Sequence, residues 1–303
     1  MPRVIEVADA RSCTPEECIE GLRSTGYDPR CEESTAHAAG WLRRLGNNRS
    51  FLGDMLVDEL AGRSAREGLE SGYTPQAIVL SRQEAGFFMR ANIWPAPGDY
   101  AYRASGAHNF VYGTPHDHNF DFLTVGYFGP GYRSDYYEYD YEAVDGWRGE
   151  AAGLRFVERS ALHEGKLMHY RALRDVHSQI PPESLSISLN IIATDPMQGW
   201  LDQYGFDLET GTVSAILNPG SSECLLRLAV GLGGDEAIDL AHEFGRSHPS
   251  DRMRLAAYEA RSLLAVAPDE SDALWRDAEL AGSRLLAVEA RRRRAELSGM
   301  AAR

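Results

Sequence analysis

The sequence predicts a mainly β protein in which an antiparallel β-barrel is preceded and followed by helical segments. Between residues 76 and 218 the chain falls into short runs rich in β-branched and aromatic residues, each bounded by Gly, Pro or Asp. Many short strands with close turns are typical of an antiparallel barrel or sandwich. On either side, apolar residues recur at steps of three and four, as on amphipathic helices. We therefore expect an N-terminal helical segment at residues 1–75, a β domain at 76–218 and a C-terminal helical segment at 219–303.

The N-terminal segment contains a complete helix start signal. In "CTPEECIEGLR", Thr14 is a suitable N-cap, Pro15 suits the first helical position and Glu17 can close a capping box. The stretches "TAHAAGWLRRLGNN" and "SFLGDMLVDELAGR" have helical periodicity, and Gly46 with the two asparagines after it predicts a stop between them.

The central segment predicts strands at QAIVL, GFFMRANIW, FDFLTVGYF, SDYYEYDYE, GLRFVERSAL, KLMHYRAL and LSISLNIIA. In "YYEYDYE", Tyr137, Tyr139 and Tyr141 would share one face of a half-buried strand, with Glu138 and Asp140 on the other. GPG, VDGW and HEGK are predicted to form the hairpin turns.

After Pro219 the sequence predicts amphipathic helices joined by short loops, with Ser250 and Asp269 as N-caps. The stretch EARRRRAEL is basic but has acidic neighbours, so we interpret it as a solvated helix end.

Composition excludes some classes of function. The 303 residues are 43% hydrophobic and 25% charged, as in an ordinary globular protein. The net charge of −14 argues against a nucleic-acid partner, because phosphate binding needs a basic face. No apolar run approaches the ~20 residues of a membrane span, and the first residues lack the apolar core of a signal peptide. We therefore expect a cytoplasmic protein without a membrane partner.

Two histidines one residue apart precede a predicted strand in "GTPHDHNFDFLTVGYF". Residues two apart on a strand project to the same side, so His116 and His118 can point inward together. Two imidazoles leave a divalent cation short of ligands, and His177, just before the strand SLSISLNI, can supply a third. Asp117, between the first two, should point away and brace the loop. The sequence thus predicts a metal site formed by His116, His118 and His177.

These segments resemble the cupin superfamily, which has a His-x-His motif on one barrel strand and a further histidine some strands later. "FFMRANIWPAPG" with "GTPHDHNFDF" is similar to the cysteine dioxygenase type of thiol dioxygenase within that superfamily. "RDVHSQIPPESLSISLNI" is similar to the region of that family's third histidine. The resemblance spans roughly residues 73–195. It implies a cupin-type barrel, the double-stranded β-helix, carrying a non-heme iron dioxygenase site.

The chain also departs from the family pattern. Phe122 or Leu123 occupies the place of the usual cupin glutamate, which favours a site of three histidines alone. Asp121 lies close to that place, but only a bulge would turn it inward. A Ser-x-His-x-Tyr arrangement follows the third histidine in the thiol dioxygenases, and here its histidine and tyrosine are missing. The residues at its three positions are Ser188, Asn190 and Ile192. We therefore do not expect cysteine itself to be the substrate.

The chemistry of such a site follows from its open positions. Three neutral imidazoles on one face of Fe(II) leave adjacent coordination positions for a substrate and dioxygen. The iron stays positive, which favours a small or peptide-borne anionic substrate that binds the metal directly. Imidazole also suits Zn, Ni and Cu. The predicted cofactor is Fe(II), with Zn, Ni, Mn and Cu left open.

Arg90, His169 and Tyr170 are the predicted catalytic or substrate-binding residues. Arg90 lies in an apolar strand, and a buried arginine must be paired, either by a substrate carboxylate or in a structural ion pair. His169 and Tyr170 are neighbours on a predicted strand, so one of them should face the interior; a core or rim position is the alternative for His169.

Two further interpretations stay open. A 2-oxoglutarate oxygenase would use His118, a nearby aspartate and His177, but no arginine follows His177 for the co-substrate until Arg227. A non-catalytic ligand sensor would use the helical segments as partner surfaces. A homodimer formed by pairing of barrel edges is also expected.

Overall fold

The computed structural model describes residues 2–62, 76–83 and 86–301. The chain divides into two compact units, the first comprising Met1–Tyr141 and Ala152–Gly211, the second Glu142–Ala151 and Thr212–Arg303. Among the described residues, helices and antiparallel strands both contribute and the strands are concentrated in the middle of the chain, so the mainly β class is borne out only in part. The predicted division into three segments stays a prediction, and its residues 63–75 lie outside the described residues.

The helices of the first unit are α1 (Pro15–Thr25), α2 (Glu32–Asn47), α3 (Phe51–Leu60) and α4 (Tyr100–Ser105). Its strands are β1 (Arg3–Val4), β2 (Ala77–Val79), β3 (Phe87–Trp94), β4 (Phe122–Phe128), β5 (Arg133–Glu138), β6 (Arg155–Ala161), β7 (Leu167–Tyr170), β8 (Asp175–Ile180), β9 (Ser186–Ala193) and β10 (Tyr204–Asp207). The second unit contains β11 (Thr212–Ile216), α5 (Ser221–Leu232), α6 (Asp235–Ser247), α7 (Asp251–Ser262), α8 (Pro268–Glu279) and α9 (Arg284–Ala301). None of the described helices combines the length and the apolarity that a membrane crossing requires.

Two antiparallel sheets form the centre of the first unit. One has six strands in the order β1-β7-β4-β9-β3-β2 and the other has three in the order β6-β5-β8. Because side chains alternate along a strand, the four central strands of the larger sheet (β7, β4, β9 and β3) contribute to two cores. Met89, Leu123 and Leu189 pack against the helices, in a cluster that includes Leu42 of α2. The opposite face belongs to an aromatic cluster shared with the smaller sheet. We call this opposite face the inner face.

The expected closed barrel is not present. Within the described residues, hydrogen-bonded pairing leaves the six-stranded and three-stranded sheets as separate sheets. Closure would need continuous pairing at both edges. Beyond the edge strand β8, the described pairing consists instead of isolated bridges, such as those of His116 with His177 and of Tyr112 with Gln179. The expectation of a barrel was therefore wrong in this respect.

Helix α1 begins as predicted. Glu17 donates its backbone N–H to Oγ1 of Thr14 at 3.2 Å, and the Thr14 N–H donates to Oε2 of Glu17 at 2.9 Å. Pro15 occupies the first turn, where its missing N–H is no loss. The local sequence determines this start because both bonds lie within four residues.

Other local predictions were wrong. Strand β5 ends at Glu138, and its buried residues are Ser134 and Tyr136 instead of the predicted odd-numbered tyrosines. Ser250 caps α7 as predicted, but α8 has Ala267 at its N-cap, and Asp269 lies inside the first turn. GPG and HEGK join β4 to β5 and β6 to β7, whereas VDGW lies within the longer connection between β5 and β6.

Candidate metal centre

The three predicted histidines lie together between the two sheets of the first unit. His116 donates its backbone N–H to the His177 carbonyl at 3.0 Å, and His177 donates its N–H to the His116 carbonyl at 2.9 Å. This reciprocal antiparallel pair directs both side chains to one side. His118 lies two residues further on, and the ligand atoms of all three rings lie within 4.8 Å of one another. The structure therefore brings together the residues that the sequence predicted.

The expected strand under the first two histidines is absent. His116 forms only isolated bridges, and the regular strand β4 begins four residues after His118, at Phe122. The segment from 116 to 118 is consequently held by side chains and single backbone bonds instead of a continuous ladder.

Asp117 supplies most of that support. Its carboxylate accepts hydrogen bonds from the Tyr139 hydroxyl and, at 2.6 Å, from the Tyr204 backbone N–H. Its own N–H donates to the Tyr204 carbonyl at 3.1 Å, and the Gln203 side chain donates to its carbonyl at 2.8 Å. Burial raises the pKa of Asp117 to about 7. The predicted brace is present, and it fixes the residue between two of the histidines.

The cluster is a neutral, desolvated site. Burial lowers the pKa of His116 and takes the pKa of His118 and His177 well below the usual value. The other two imidazoles and the nearby charge of Arg90 lower the pKa of His118 further. All three rings are therefore unprotonated at neutral pH, the form that binds a cation.

The hydrogen bonds of the rings fit a cation better than they fit one another. Nδ1 of His116 donates to the Thr114 carbonyl at 2.7 Å, so its Nε2 carries a lone pair. That Nε2 lies 3.3 Å from Nε2 of His177. Two nitrogens bound side by side to one metal at about 2.0–2.1 Å are about 3.0–3.4 Å apart. Nδ1 of His118 is buried without a hydrogen-bond partner among the described residues, so it competes with no protein donor or acceptor. The donor set therefore fits a divalent metal.

Tyr170 lies on the inner face beside the cluster. Its ring stacks on Phe122 with centroids 4.3 Å apart and lies 5.0 Å from the ring of His177. Its hydroxyl is 2.8 Å from the hydroxyl of Tyr136, whose ring stacks on His177. Burial raises the pKa of Tyr170 well above its usual value and that of Tyr136 to about 12. Both phenols therefore stay protonated and can donate hydrogen bonds.

Arg90 also lies on the inner face, within a group that we call the polar strip. Arg90 on β3 is opposite Asn190 on β9, which is opposite Thr124 on β4, so the three side chains share one face. Asn92 follows Arg90 on that face. Oγ1 of Thr124 and Oδ1 of Asn92 are buried without a partner in the described part of the chain. The polar strip thus consists of Arg90, Asn92, Thr124 and Asn190.

His169 does not join the histidine cluster. Because side chains alternate on β7, Tyr170 faces inward and His169 faces the other side. Nε2 of His169 lies 3.1 Å from Oδ1 of Asp121, and its Nδ1 lies 3.2 Å from the Arg3 guanidinium. The carboxylate of Asp121 therefore lies on the same side of the sheet as His169, away from the histidine cluster. The bulge in β4 lies between Gly126 and Phe128, too far along the strand to redirect it.

Sequence reasoning missed Gln179 and Tyr136. Gln179 follows His177 by two residues on β8, and its amide nitrogen lies 3.2 Å from Nε2 of His177. Tyr136 lies directly opposite His177 in the pairing of β5 with β8. The two-residue step in "HSQ" could have indicated Gln179, whereas Tyr136 depends on the strand register.

Solved structures resemble this chain only distantly. No protein-family model matches the chain, and no curated protein matches it. A solved structure assigned as a mannose-6-phosphate isomerase, from Ralstonia eutropha, matches 44% of this chain and 100% of its own, at 12% identity and a TM-score of 0.21. A structure reported with the DMSP lyases RdDddP and RnDddQII matches 63% of this chain and 77% of its own, at 10% identity and a TM-score of 0.24. The DMSP lyase DddQ from Ruegeria pomeroyi matches 65% of this chain and 79% of its own, at 8% identity and a TM-score of 0.27. At these identities and TM-scores, none of the three structures assigns an activity to this chain.

Proposed function

We propose that this chain is a metal-dependent enzyme of the cupin type, in which His116, His118 and His177 hold Fe(II) and a small anionic substrate is oxidised with dioxygen. The observation that carries the proposal is the convergence of three buried, neutral imidazoles with two Nε2 atoms 3.3 Å apart. A bound Fe(II) would supply redox chemistry with dioxygen at the coordination positions that three imidazoles leave open.

The chain's own residues would bind and orient the substrate. The positive charge of Arg90 favours an anion on the inner face, and its planar guanidinium suits a carboxylate. The side-chain oxygens of Thr124 and Asn92, which have no partner within the described part of the chain, can hydrogen-bond polar groups of the same substrate, since buried polar atoms are normally satisfied. Tyr170, held neutral by burial, can donate to a substrate oxygen.

A 2-oxoglutarate oxygenase has less support. That class needs a carboxylate among the metal ligands, and among the described residues the metal-binding group consists of histidines alone. The carboxylate of Asp121 contacts His169 instead. We expect an Asp121→Ala variant to retain its metal, whereas loss of metal would favour the oxygenase of the 2-oxoglutarate class.

A second candidate is a non-oxidative lyase or isomerase that uses the metal as a Lewis acid. The specific observation in its favour is the hydroxyl pair of Tyr136 and Tyr170, 2.8 Å apart beside His177. Two linked hydroxyls can pass a proton to or from a substrate, as tyrosine does in general acid–base catalysis. Such chemistry needs neither dioxygen nor a metal that changes its oxidation state.

Loading the protein with metal and then assaying it with and without air tests these proposals together. We would load purified protein with Fe(II) or Zn(II) in the absence of air. Dioxygen consumption and product formation would then be followed, in air and under nitrogen, with panels of small carboxylates, thiols and diketones. Substrate-dependent dioxygen consumption with Fe(II) alone supports the dioxygenase. Turnover with Zn(II) under nitrogen supports the lyase or isomerase. Folded protein that binds no metal under either condition contradicts both enzymes and supports the ligand sensor.

A further inference from the structure

Gln179 lies beside the three histidines, two residues after His177 on β8. It is buried, with 4% of its surface exposed, and its amide nitrogen is 3.2 Å from Nε2 of His177. That Nε2 is the atom that lies 3.3 Å from Nε2 of His116. The other end of the amide, Oε1, is buried without a partner among the described residues. One side chain therefore combines a contact to a predicted ligand atom with an unsatisfied oxygen.

The orientation of the amide decides what Gln179 can do. An NH₂ group that points at Nε2 of His177 competes with a cation for the nitrogen's lone pair. Rotation of the amide by half a turn exchanges its oxygen and nitrogen, which are alike in size and geometry. The position now held by the nitrogen, 3.2 Å from Nε2, matches the separation of neighbouring ligands on one metal at about 2.0–2.2 Å.

The fold holds Gln179 at this place. His177 and Gln179 share a face of β8 because they are two residues apart. The Gln179 carbonyl accepts the N–H of Gly113 at 3.0 Å, which ties this part of β8 to the chain just before His116. The side chain therefore starts from a fixed backbone position beside the three histidines.

We propose that Gln179 contributes its side-chain amide oxygen as a fourth protein ligand of this metal centre. The inference rests on the metal centre proposed above and adds a neutral oxygen to its three nitrogens. A neutral ligand keeps the full charge of the cation, which strengthens its attraction for an anionic substrate. It also distinguishes this centre from one completed by a carboxylate.

Co(II) binding and a crystal structure of the Co(II)-loaded protein test this ligand without an activity assay. We expect Oε1 of Gln179 within about 2.3 Å of the metal. Gln179→Leu should weaken Co(II) binding about tenfold or more, and Gln179→Glu, which supplies a charged oxygen, should tighten it by a similar factor. Gln76→Leu removes an equally buried glutamine that hydrogen-bonds the Phe110 carbonyl, and it should leave binding within about twofold.

Two results would overturn the proposal. One is a loaded structure with Oε1 more than about 3 Å from the metal. The other is Co(II) affinity of both Gln179 variants within twofold of the unmodified protein. Unmodified protein that binds no Co(II) contradicts the three-histidine centre itself, so that failure is distinguishable from failure of the fourth ligand. The structure of the unmodified protein decides the question even if Gln179→Leu does not fold.

Discussion

His118 and His169 are buried to a similar degree but have different surroundings. His169 has a partner at each ring nitrogen, Asp121 at one and Arg3 at the other. His118 lies among imidazole and aromatic rings, and its Nδ1 has no hydrogen-bond partner within the described residues. A buried polar atom without a protein partner normally has a water or a ligand beside it. The difference in partners, more than the burial, separates the proposed metal ligand His118 from the structural histidine His169.

We therefore expect opposite effects of replacing these two histidines. His118→Ala should reduce the bound metal to background, because two imidazoles are too few for a stable site. His169→Ala should retain near-stoichiometric metal. Elemental analysis of the two purified variants, each checked for folding by circular dichroism, is the measurement. Equal retention of metal by both variants would contradict the assignment.

Asp117 gives a second prediction at the scale of single residues. Asp117→Ala leaves the Tyr139 hydroxyl and the Tyr204 N–H without their acceptor, at a cost of about 1–3 kcal/mol each. Urea unfolding of the metal-free protein should therefore reveal a loss of about 3 kcal/mol. Because the brace positions His116 and His118, metal affinity should also fall about 10–100-fold.

A nearby exposed aspartate provides the control for that variant. Asp140→Ala should change the free energy of unfolding by no more than about 0.5 kcal/mol. If the two aspartate variants have equal stability and equal metal affinity, Asp117 does not act as a brace.

Within single elements, β4 depends on a glycine for a purely steric reason. A Cβ on Gly126 would lie 2.1 Å from the carbonyl oxygen of His163, in the turn before β7. A backbone atom cannot move aside as a flexible side chain can. In contrast, a Cβ on Gly40 in the middle of α2 would meet nothing within 4 Å.

The two alanine variants should therefore change stability in opposite directions. Gly126→Ala should lower the free energy of unfolding by about 1–3 kcal/mol or more, through overpacking against the turn. Gly40→Ala should raise it by about 0.5–1 kcal/mol, because glycine is a poor helix former. Urea denaturation with a constant slope would measure both, and a stable Gly126→Ala protein would contradict the described turn.

The sequence predicts elements correctly where the determining contacts are local. It predicts them less well where packing between distant segments determines which side chains face inward. Thr14 and Glu17 reveal the start of α1 because both hydrogen bonds lie within one turn. Strand β5 has tyrosines at both parities, and only its pairing with β8 selects Tyr136 for the inner face. The meeting of His116 and His118 with His177 was also predicted, from the two-residue step of the first pair and the place of His177 just before a strand. Gln179 remained hidden because its relevance depends on His177 being a ligand.

On the scale of the whole molecule, each unit has its own apolar cores. The first contains the helix-facing cluster and the aromatic cluster of the inner face. The second has one cluster around α5–α7 and another around α7–α9. All three histidines belong to the first unit. Multidomain chains commonly unfold in more than one transition. A metal bound to the three histidines should therefore stabilise the first unit and raise the midpoint of its transition.

Calorimetry of the full chain tests that expectation. A cation at 1,000 times its dissociation constant adds about 4 kcal/mol to the state that binds it, and for a unit of this size that corresponds to about 10 °C in midpoint. We expect Co(II) to raise the midpoint temperature of one transition by this amount and to leave that of the other unchanged. Mg(II), which prefers oxygen ligands, should raise neither. A uniform rise of every transition would contradict the confinement of the site to the first unit.

The pairing register of β8 has a consequence for judging whether purified protein is correctly folded. A slip of one residue along β8 would reverse every side chain on that strand, so His177 and Gln179 would leave the interior together. A misaligned chain could retain its secondary structure and much of its compactness and still be unable to capture a cation. The fraction of purified molecules that bind one equivalent of metal would then count those whose β8 has the native alignment.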